Sequence, residues 1–255
     1  MGRPVALVTG ARQGLGRGIA LALADRGFDV GALDLMEDAR SESLLAELEA
    51  KGARGAFAVM DLADLSAHEA ALDTVEGALG PVDALVNNAG IAARPLTDLL
   101  DLAPEAFDRN LNINLRGTFF LTQAMARRML ARDSAHYRSI TFIASIAATH
   151  VSTDRSQYCV SKAALSMVTQ LYADRLGAAG IAVHEIRPGF IRTEMTGSAP
   201  TGKIDAYIDS GAVPQRRWGE TTDIGRVAAT LASGDLPYVT GQPIYVDGGY
   251  HIPTA

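Results

Sequence analysis

Residues Val5 to Gly16, VALVTGARQGLG, form the stretch that decides the fold. The first four residues are all apolar, which is typical of a strand buried on both faces of a sheet. Glycines follow at positions 10, 14 and 16, and the amphipathic segment Ile19 to Ala24 then indicates a helix that ends at Gly27. A strand, a glycine-rich turn and a helix in this order predict a dinucleotide-binding unit.

The glycine turn predicts dinucleotide binding for a physical reason. Glycines let the backbone approach a pyrophosphate, and the first turn of the helix offers free N–H groups and the positive end of its dipole. The spacing differs from Gly-x-Gly-x-x-Gly, because three residues separate Gly10 from Gly14. A tight turn without a ligand is the alternative, but the flanking strand and helix favour a cofactor.

Apolar runs and amphipathic segments alternate along the rest of the chain. Further strands are predicted at Asp29 to Leu35, Gly55 to Met60, Val82 to Val86, Ser139 to Ser145, Ile181 to Ile186 and Pro243 to Val246. The longest predicted helices run from Pro104 towards Met129 and from Ser156 to Leu176. We expect a single doubly wound α/β domain of the Rossmann type over residues 1–255, whose parallel sheet of about seven strands carries helices on both faces. Gly, Pro, Ser and charged residues break this pattern at 192–217, which predicts a substrate loop.

Polar side chains stand where several of these strands end. They are Thr9, Asp34, Asp61, Asn88 and Ser145. Because ligands of parallel α/β sheets bind outside the carboxyl ends of the strands, we expect these residues at one site.

Asp34 bears on the choice of cofactor. It follows the glycine turn by about twenty residues, where a carboxylate accepts hydrogen bonds from the adenosine ribose hydroxyls and repels a 2′-phosphate. This position predicts NAD rather than NADP. The alternative is a solvated turn aspartate, and either Arg12 or Arg40 could neutralise a phosphate.

Tyr158 and Lys162 are the candidate proton-handling pair. Residues four apart share one face of a helix, about 6 Å apart at Cβ. An ammonium beside a phenol is expected to lower the pKa of the phenol from about 10, which suits a general acid or base near neutral pH. Such pairs are common on helix surfaces, and the nearby strand-end Ser145 favours the catalytic interpretation.

Two other polar residues fall on predicted helices. Asn114 lies on an otherwise apolar face and needs a hydrogen-bond partner if it is buried, so a structural role is the alternative to a catalytic one. His68 falls in a first helical turn and is expected to be solvated rather than a ligand.

Composition narrows the function classes. The net charge of −6 and the pI near 5.4 argue against nucleic acid or an acidic membrane as a partner. The single cysteine, Cys159, excludes an internal disulfide and fits a reducing compartment. Apolar runs are too short for a membrane span, and residues 1–4 lead into a strand with no room for a signal peptide. We therefore expect a cytoplasmic protein without a metal site.

Motifs in register now define a resemblance. The segments Thr9-Gly10-x-x-x-Gly14-x-Gly16, Asn87-Asn88-Ala89-Gly90, Asn114, Ser145, Tyr158-x-x-x-Lys162 and Pro188-Gly189 stand in the order and spacing of the short-chain dehydrogenases/reductases. The tail Thr240-Gly241-Gln242 to Gly249 resembles bacterial 3-oxoacyl-[acyl-carrier-protein] reductases and sugar or polyol dehydrogenases. The resemblance implies an NAD(H)-dependent oxidoreductase that interconverts a secondary alcohol and a ketone.

The resemblance also implies roles for single residues. Tyr158 would be the general acid and base, Lys162 would lower its pKa and hold ribose hydroxyls, Ser145 would bind the substrate oxygen, and Asn114 would hold a relay water. The implied cofactor contacts are Gly10, Arg12, Gln13, Gly14, Leu15, Gly16, Asp34, Leu35, Asp61, Leu62, Asn88, Ala89, Gly90, Tyr158, Lys162, Pro188, Gly189, Ile191 and Thr193. Substrate contacts are predicted at Ser145, Ala147, His150, Arg155 and Met195. Gln13, where members that prefer NADP often carry a basic residue, again favours NAD.

Several expectations stay open at this point. The substrate is a small carbonyl, sugar or polyol, or else a 3-oxoacyl thioester on an acidic carrier protein. Arg127, Arg128 and Arg132 form a basic cluster that could meet such a protein, although a solvated helix end is the favoured interpretation. The resemblance implies a homotetramer built on the two long helices, whose apolar stripes serve either the core or a subunit interface. The alternative function is a nucleotide-sensing or scaffolding protein that has the same fold and no turnover.

Overall fold

The computed structural model describes residues 2–193 and 202–253. The strands are β1 Val5–Thr9, β2 Asp29–Asp34, β3 Gly55–Val59, β4 Ala84–Asn87, β5 Arg138–Ile143, β6 Ile181–Pro188 and β7 Pro243–Val246. The helices are α1 Gly14–Asp25, α2 Ala39–Ala50, α3 His68–Leu79, α4 Pro104–Leu111, α5 Thr118–Leu130, α6 Ser156–Gly177, α7 Gly202–Asp209 and α8 Thr221–Ser233. A π-helical segment, Asn112–Gly117, joins α4 to α5.

The strands form one seven-stranded sheet in the order β3-β2-β1-β4-β5-β6-β7. Every pair of neighbouring strands is parallel. The chain winds outward from β1 to β3, returns to the centre at β4, and then winds outward in the other direction. The predicted doubly wound α/β fold is confirmed, and the strand order reverses between β1 and β4, where such sheets open a ligand crevice.

An apolar core lies on each face of the sheet. One core packs helices α3, α5 and α6 against the strands, through fully buried side chains such as Leu72, Leu121 and Met125. The other packs α1, α2 and α8, through side chains such as Ile19, Leu44 and Ile224. Within residues 2–193 and 202–253, none of the helices combines the length and the apolar character that a membrane span requires.

The structure corrects three details of the sequence interpretation. The helix predicted from Pro104 towards Met129 is interrupted by the π-helical turn. The predicted substrate loop 192–217 contains a helix, α7, in its described part, and Met195 lies outside the described residues. His68 is buried rather than solvated, because its Nε2 lies 3.0 Å from the carbonyl oxygen of Leu62 and fixes the turn after β3.

We expect Gly31→Ala to destabilise the fold, because Gly31 lets β2 pass directly beneath α3. A Cβ atom at this position would lie 2.3 Å from a methyl carbon of Val75 and 3.0 Å from one of Leu7. Overpacking of this kind lowers the free energy of unfolding by about 1–3 kcal/mol. Urea denaturation of the variant and the unaltered protein measures the difference. In a Val75→Ala background the closer of these two contacts is removed, so Gly31→Ala should cost clearly less there. An equal cost in both backgrounds would contradict this account.

Candidate active site

A cleft of about 360 Å³ opens at the carboxyl ends of β1 and β4, and it gathers most of the predicted cofactor residues. Those that line it are Gly10, Gln13, Gly14, Leu15, Asp34, Leu35, Asp61, Leu62, Asn88, Ala89, Gly90, Tyr158, Lys162 and Thr193. The strand-end argument therefore predicted their common location, since segments from the first, second, third and fourth strands meet there with α6.

The glycine turn is shaped as a cradle. Gly10 and Gly14 have φ values of 64° and 58°, in the left-handed region that disfavours other residues. A Cβ atom on Gly16 would lie 2.0 Å from the carbonyl oxygen of Gly10, so the turn folds back tightly onto α1. Gln13, the N-cap residue, places no side-chain cap on the helix, and no acidic residue stands in its first turn. The positive end of α1 is thus left for an anion, and this geometry fits the pyrophosphate of a dinucleotide.

Asp34 is held in place at the end of β2. Its carboxylate accepts hydrogen bonds from the backbone N–H groups of Arg12, at 3.1 Å, and of Leu35, at 2.8 Å. The Arg12 guanidinium lies 3.7 Å from the same carboxylate and forms a close ion pair with Asp38. Arg40 donates a hydrogen bond to the side chain of Gln13. The charge of Arg12 is therefore shared by two carboxylates.

Five predicted cofactor residues do not line the cleft. They are Arg12, Gly16, Pro188, Gly189 and Ile191. Gly16 packs beneath the turn, and a Cβ on Gly189 would lie 2.7 Å from the Cα of Asp247, so these glycines serve close backbone approaches. Ile191 is buried and lines a second cavity of about 440 Å³ beside β7.

Ser145, Tyr158 and Lys162 meet at one end of the cleft. A hydrogen bond joins the side chains of Ser145 and Tyr158, and the N–H of Ala147 donates to Ser145 Oγ at 3.1 Å. Lys162 is only 5% exposed, and its Nζ donates to the carbonyl oxygen of Ile143 at 2.9 Å. The same Nζ lies 5.7 Å from the centre of the Tyr158 ring.

The pKa of Tyr158 differs from the expectation. Burial raises it above its ordinary value, while the hydrogen bond from Ser145 and the charge of Arg155 act in the opposite direction. The expected lowering by Lys162 was wrong for this structure, because the ammonium is directed at the Ile143 carbonyl rather than at the phenol. Burial also lowers the pKa of Lys162 to about 8, against the opposing field of Glu185.

Asn114 ties three segments together from within the π-helical turn. Its Oδ1 accepts a hydrogen bond from the N–H of Ile91 at 2.8 Å, and its Nδ2 donates to the Ile91 carbonyl oxygen at 3.0 Å and to Ser161 Oγ at 3.2 Å. Gly90 makes room for it, since a Cβ there would lie 3.0 Å from Asn114 Oδ1 and 3.6 Å from Lys162 Nζ. Asn114 is thus a satisfied buried amide close to Lys162, as the structural alternative anticipated, and a relay water remains a hypothesis. Single π-helical turns are frequent at functional sites.

An aromatic cluster lies near Arg155, and sequence reasoning missed all of it except His150. The His150 ring stacks on Tyr250 at 4.7 Å, and Tyr250 lies 5.0 Å from Phe190 and 5.6 Å from Tyr207. The charge of Arg155 acts on both Tyr158 and Tyr250, so Arg155 lies near both the candidate proton-handling residue and this cluster. The only sequence signal was the presence of aromatic residues in segments without periodicity.

Comparison with known proteins agrees with this geometry. A family model described as enoyl-(acyl carrier protein) reductase, one of the short-chain dehydrogenase/reductase models, matches residues 10–251. The chain belongs to the short-chain dehydrogenase/reductase family. The resemblance predicted from the motifs is confirmed over nearly the whole length of the chain.

Three relatives illustrate the range of proteins to which this short-chain dehydrogenase/reductase is similar. A crystal structure of a 3-oxoacyl-[acyl-carrier protein] reductase from Brucella melitensis in complex with NAD is 46% identical, with a TM-score of 0.96 and 100% of both chains covered. A D-threitol dehydrogenase from Mycolicibacterium smegmatis is 36% identical over 97% of this chain and 93% of its own length. A structure from Agrobacterium tumefaciens, of a proposed 2-deoxy-D-gluconate 3-dehydrogenase with bound NADP, is 32% identical, with a TM-score of 0.86 and 98% and 97% of the two chains covered.

Proposed function

We propose that this protein is an NAD(H)-dependent oxidoreductase that interconverts a secondary alcohol and a ketone. The observation that carries the proposal is the meeting of Ser145, Tyr158 and Lys162 at the end of a glycine-cradled cleft. Membership of the short-chain dehydrogenase/reductase family supports the same reaction. The alternative, a nucleotide-sensing or scaffolding protein without turnover, gains no support from relatives that carry the names of oxidoreductases.

Different residues of the cleft would bind different parts of the cofactor. Gly10 and Gly14 would hold the pyrophosphate at the N-terminus of α1, Asp34 the adenosine ribose, and Lys162 the nicotinamide ribose. Asp61 and Leu62 would contact adenine. Thr193 would contact the nicotinamide carboxamide, and Pro188, Gly189 and Ile191, which do not line the cleft, would support the segment that carries it. A nicotinamide held there would supply the hydride-transfer chemistry that interconverts the alcohol and the ketone.

The chain's own residues handle the proton. The Tyr158 hydroxyl gives its proton to the substrate oxygen in reduction and takes it back in oxidation. The Ser145 hydroxyl binds the same oxygen and keeps it within reach of Tyr158. Because burial raises the pKa of Tyr158, the phenol keeps its proton at neutral pH, which is the form that a general acid needs. Lys162 would contribute through the nicotinamide ribose, because its ammonium is directed at the Ile143 carbonyl rather than at the phenol.

The basic cluster bears on the choice between substrate classes. Arg128 is neutralised by ion pairs with Glu69, Asp73 and Glu76, and Arg132 forms an ion pair at 3.1 Å with an oxygen of Asp83. Two of the three arginines are therefore engaged with carboxylates of the same chain, which weakens the case for docking an acidic carrier protein. We propose a small carbonyl, sugar or polyol substrate, and assays should offer these beside acetoacetyl thioesters. Faster turnover of the thioesters would overturn this preference.

Tyr158→Phe should abolish most of the activity and leave cofactor binding intact. Losing a general acid–base group costs about 10²–10⁴-fold in kcat, whereas the ring keeps its packing. Steady-state kinetics measures the loss, and calorimetry checks the affinity for NAD. The matched control is Tyr238→Phe, at a fully exposed tyrosine, which should leave both unchanged. Retention of most turnover in Tyr158→Phe would overturn the proposed function.

We propose NAD over NADP, and Asp34→Asn tests the choice. The asparagine oxygen can still accept one of the backbone hydrogen bonds but no longer repels a 2′-phosphate, so the ratio of the two affinities should move towards NADP by about tenfold, or about 1.4 kcal/mol. Calorimetric titration of both cofactors measures it. Asp73→Asn removes an equal charge on α3 and should leave the ratio unchanged. Tighter binding of NADP(H) to the unaltered protein would show that Arg12 or Arg40 overrides Asp34.

We further propose a homotetramer built on α5 and α6. Val160, Met167 and Leu171 share one face of α6 and are exposed, as is Phe120 on α5. Light scattering should give four times the protomer mass of 26.8 kDa, and Met167→Glu with Leu171→Glu should lower it. Leu100→Glu, at another exposed leucine, is the control. A protomer mass for the unaltered chain would contradict the proposal. The cytoplasmic location expected from composition stays a prediction, which cell fractionation checks.

A further inference from the structure

A second buried amide, that of Asn110, lies one helical turn before Asn114. Asn110 is 2% exposed and is the one buried residue of α4, all eight of whose residues the structure describes. Burying an amide is costly unless its polar atoms find hydrogen-bond partners, so the partners of Asn110 indicate what it does.

The two asparagines bind the same backbone residue. Asn110 Oδ1 accepts a hydrogen bond from Asn114 Nδ2 at 3.0 Å, and Asn110 Nδ2 makes a longer one, of 3.4 Å, to the carbonyl oxygen of Ile91. Asn114 Nδ2 donates to that carbonyl oxygen at 3.0 Å, and Asn114 Oδ1 accepts from the Ile91 N–H at 2.8 Å. Residues four apart share one face of a helix, so the pair can hold both backbone polar groups of Ile91.

Asn110 also bears on how the Asn114 amide is turned. Asn114 Nδ2 has three acceptors, which are Asn110 Oδ1, the Ile91 carbonyl oxygen and, at 3.2 Å, Ser161 Oγ. Ser161 donates its own hydrogen to the carbonyl oxygen of Tyr158 at 2.8 Å, so it is an acceptor towards Asn114. With the amide reversed, the Asn114 oxygen would face the oxygen of Asn110, and Asn110 therefore disfavours that orientation.

The backbone held in this way belongs to the cofactor cleft. Gly90 and Ile91 both line it, and a Cβ on Gly90 would lie 3.0 Å from Asn114 Oδ1 and 3.6 Å from Lys162 Nζ. Residues 88–98, all of which the structure describes, belong to neither a helix nor a strand. Because no regular hydrogen-bond ladder supports this segment, its backbone depends on side-chain partners such as the two amides.

We propose that Asn110 is a positioning residue: by binding Asn114 and Ile91 it holds the segment after β4 in the conformation that receives the dinucleotide. A loop already held in its binding conformation costs less to order on association, so this contact favours cofactor binding. Asn110 itself is not among the residues that line the cleft. Its effect on the cofactor rests on the proposed function, but its hold on Ile91 can be measured on the protein without cofactor.

Asn110→Leu is the test, because leucine has a similar branched shape but neither donates nor accepts a hydrogen bond. Asn114 keeps two acceptors for its two N–H hydrogens, and the Ile91 carbonyl keeps one donor, so no buried polar group loses its last partner. Without cofactor, we expect the Ile91 amide to exchange with deuterium about three- to tenfold faster, measured by NMR of ¹⁵N-labelled protein. Calorimetry should show NAD binding about three- to tenfold more weakly.

Turnover gives a third measurement. Tyr158, Ser145 and Lys162 are left in place by Asn110→Leu, so the KM for NAD should rise while kcat stays close to that of the unaltered protein. Asn112→Leu is the matched control, because Asn112 is an exposed asparagine two residues further along the chain. It should leave the Ile91 exchange, the NAD affinity and the KM unchanged. If Asn110→Leu does not fold, Asn110→Ala, which cannot clash, replaces it with the same expectations.

Three results would overturn the proposal. They are unchanged Ile91 exchange in the folded Asn110 variant, unchanged NAD affinity, and equal changes in Asn112→Leu. Faster exchange spread evenly over Ile91 and the amides of β1 would show a general loss of stability and would likewise overturn it. The exchange is read without cofactor or substrate, whereas Tyr158→Phe tests the proposed function by turnover, so the two can fail separately.

Discussion

The hydroxyl of Thr9 holds the ends of β1 and β4 together, and the ligand cleft depends on this contact. Thr9 Oγ1 accepts hydrogen bonds from the N–H groups of Asn88 at 3.0 Å and Ala89 at 2.9 Å. The Asn88 side chain donates in return to the carbonyl oxygens of Thr9 and Gly10. The strand order reverses between β1 and β4. Where the backbone hydrogen bonds between these two strands end, the side chains of Thr9 and Asn88 hold the two chain segments together. Without these hydrogen bonds between Thr9 and Asn88–Ala89, the glycine turn and the N-terminus of α1 would no longer be held against the end of β4.

A second constraint places the proton-handling residues relative to the sheet. The bond from Lys162 to the Ile143 carbonyl ties α6 to the end of β5, and Asn114 ties α6, through Ser161, to the loop after β4. The π-helical turn carries the Asn114 side chain to both partners, Ile91 and Ser161. Departures from regular helix geometry of this kind are stable only where surrounding contacts determine them, and here the contacts are those of a buried amide.

The sequence predicts the fold and the common location of the cleft residues well, because both follow from periodicity. Buried parallel strands are continuously apolar, and their ends converge at one edge, so Thr9, Asp34 and Asn88 could be grouped without coordinates. The π-helical turn could not be predicted, because Asn112–Gly117 contains no proline to signal a break in the helix. The burial of His68 depends on a carbonyl six residues away, and nothing in its local pattern signals that contact. The aromatic cluster combines residues from distant segments, and only the folded chain brings His150 to Tyr250.

The direction of the Tyr158 pKa shift shows that the spacing of two residues in a motif does not determine how their side chains are oriented. The spacing of Tyr158 and Lys162 places both on one helix face but does not determine where the ammonium points. In the structure the ammonium donates a hydrogen bond to the carbonyl oxygen of Ile143 on β5. The charge that Lys162 brings to the site is then set by burial and by β6 rather than by its neighbour on the helix. Burying Lys162, Glu185 and Arg187 together is costly unless each charge is compensated and fixed in direction. Arg187 gains its compensation from Glu185 and from the hydroxyls of Ser166 and Tyr245. The pKa of Lys162 therefore depends on its burial and on Glu185 of β6, which is why local spacing alone could not predict it.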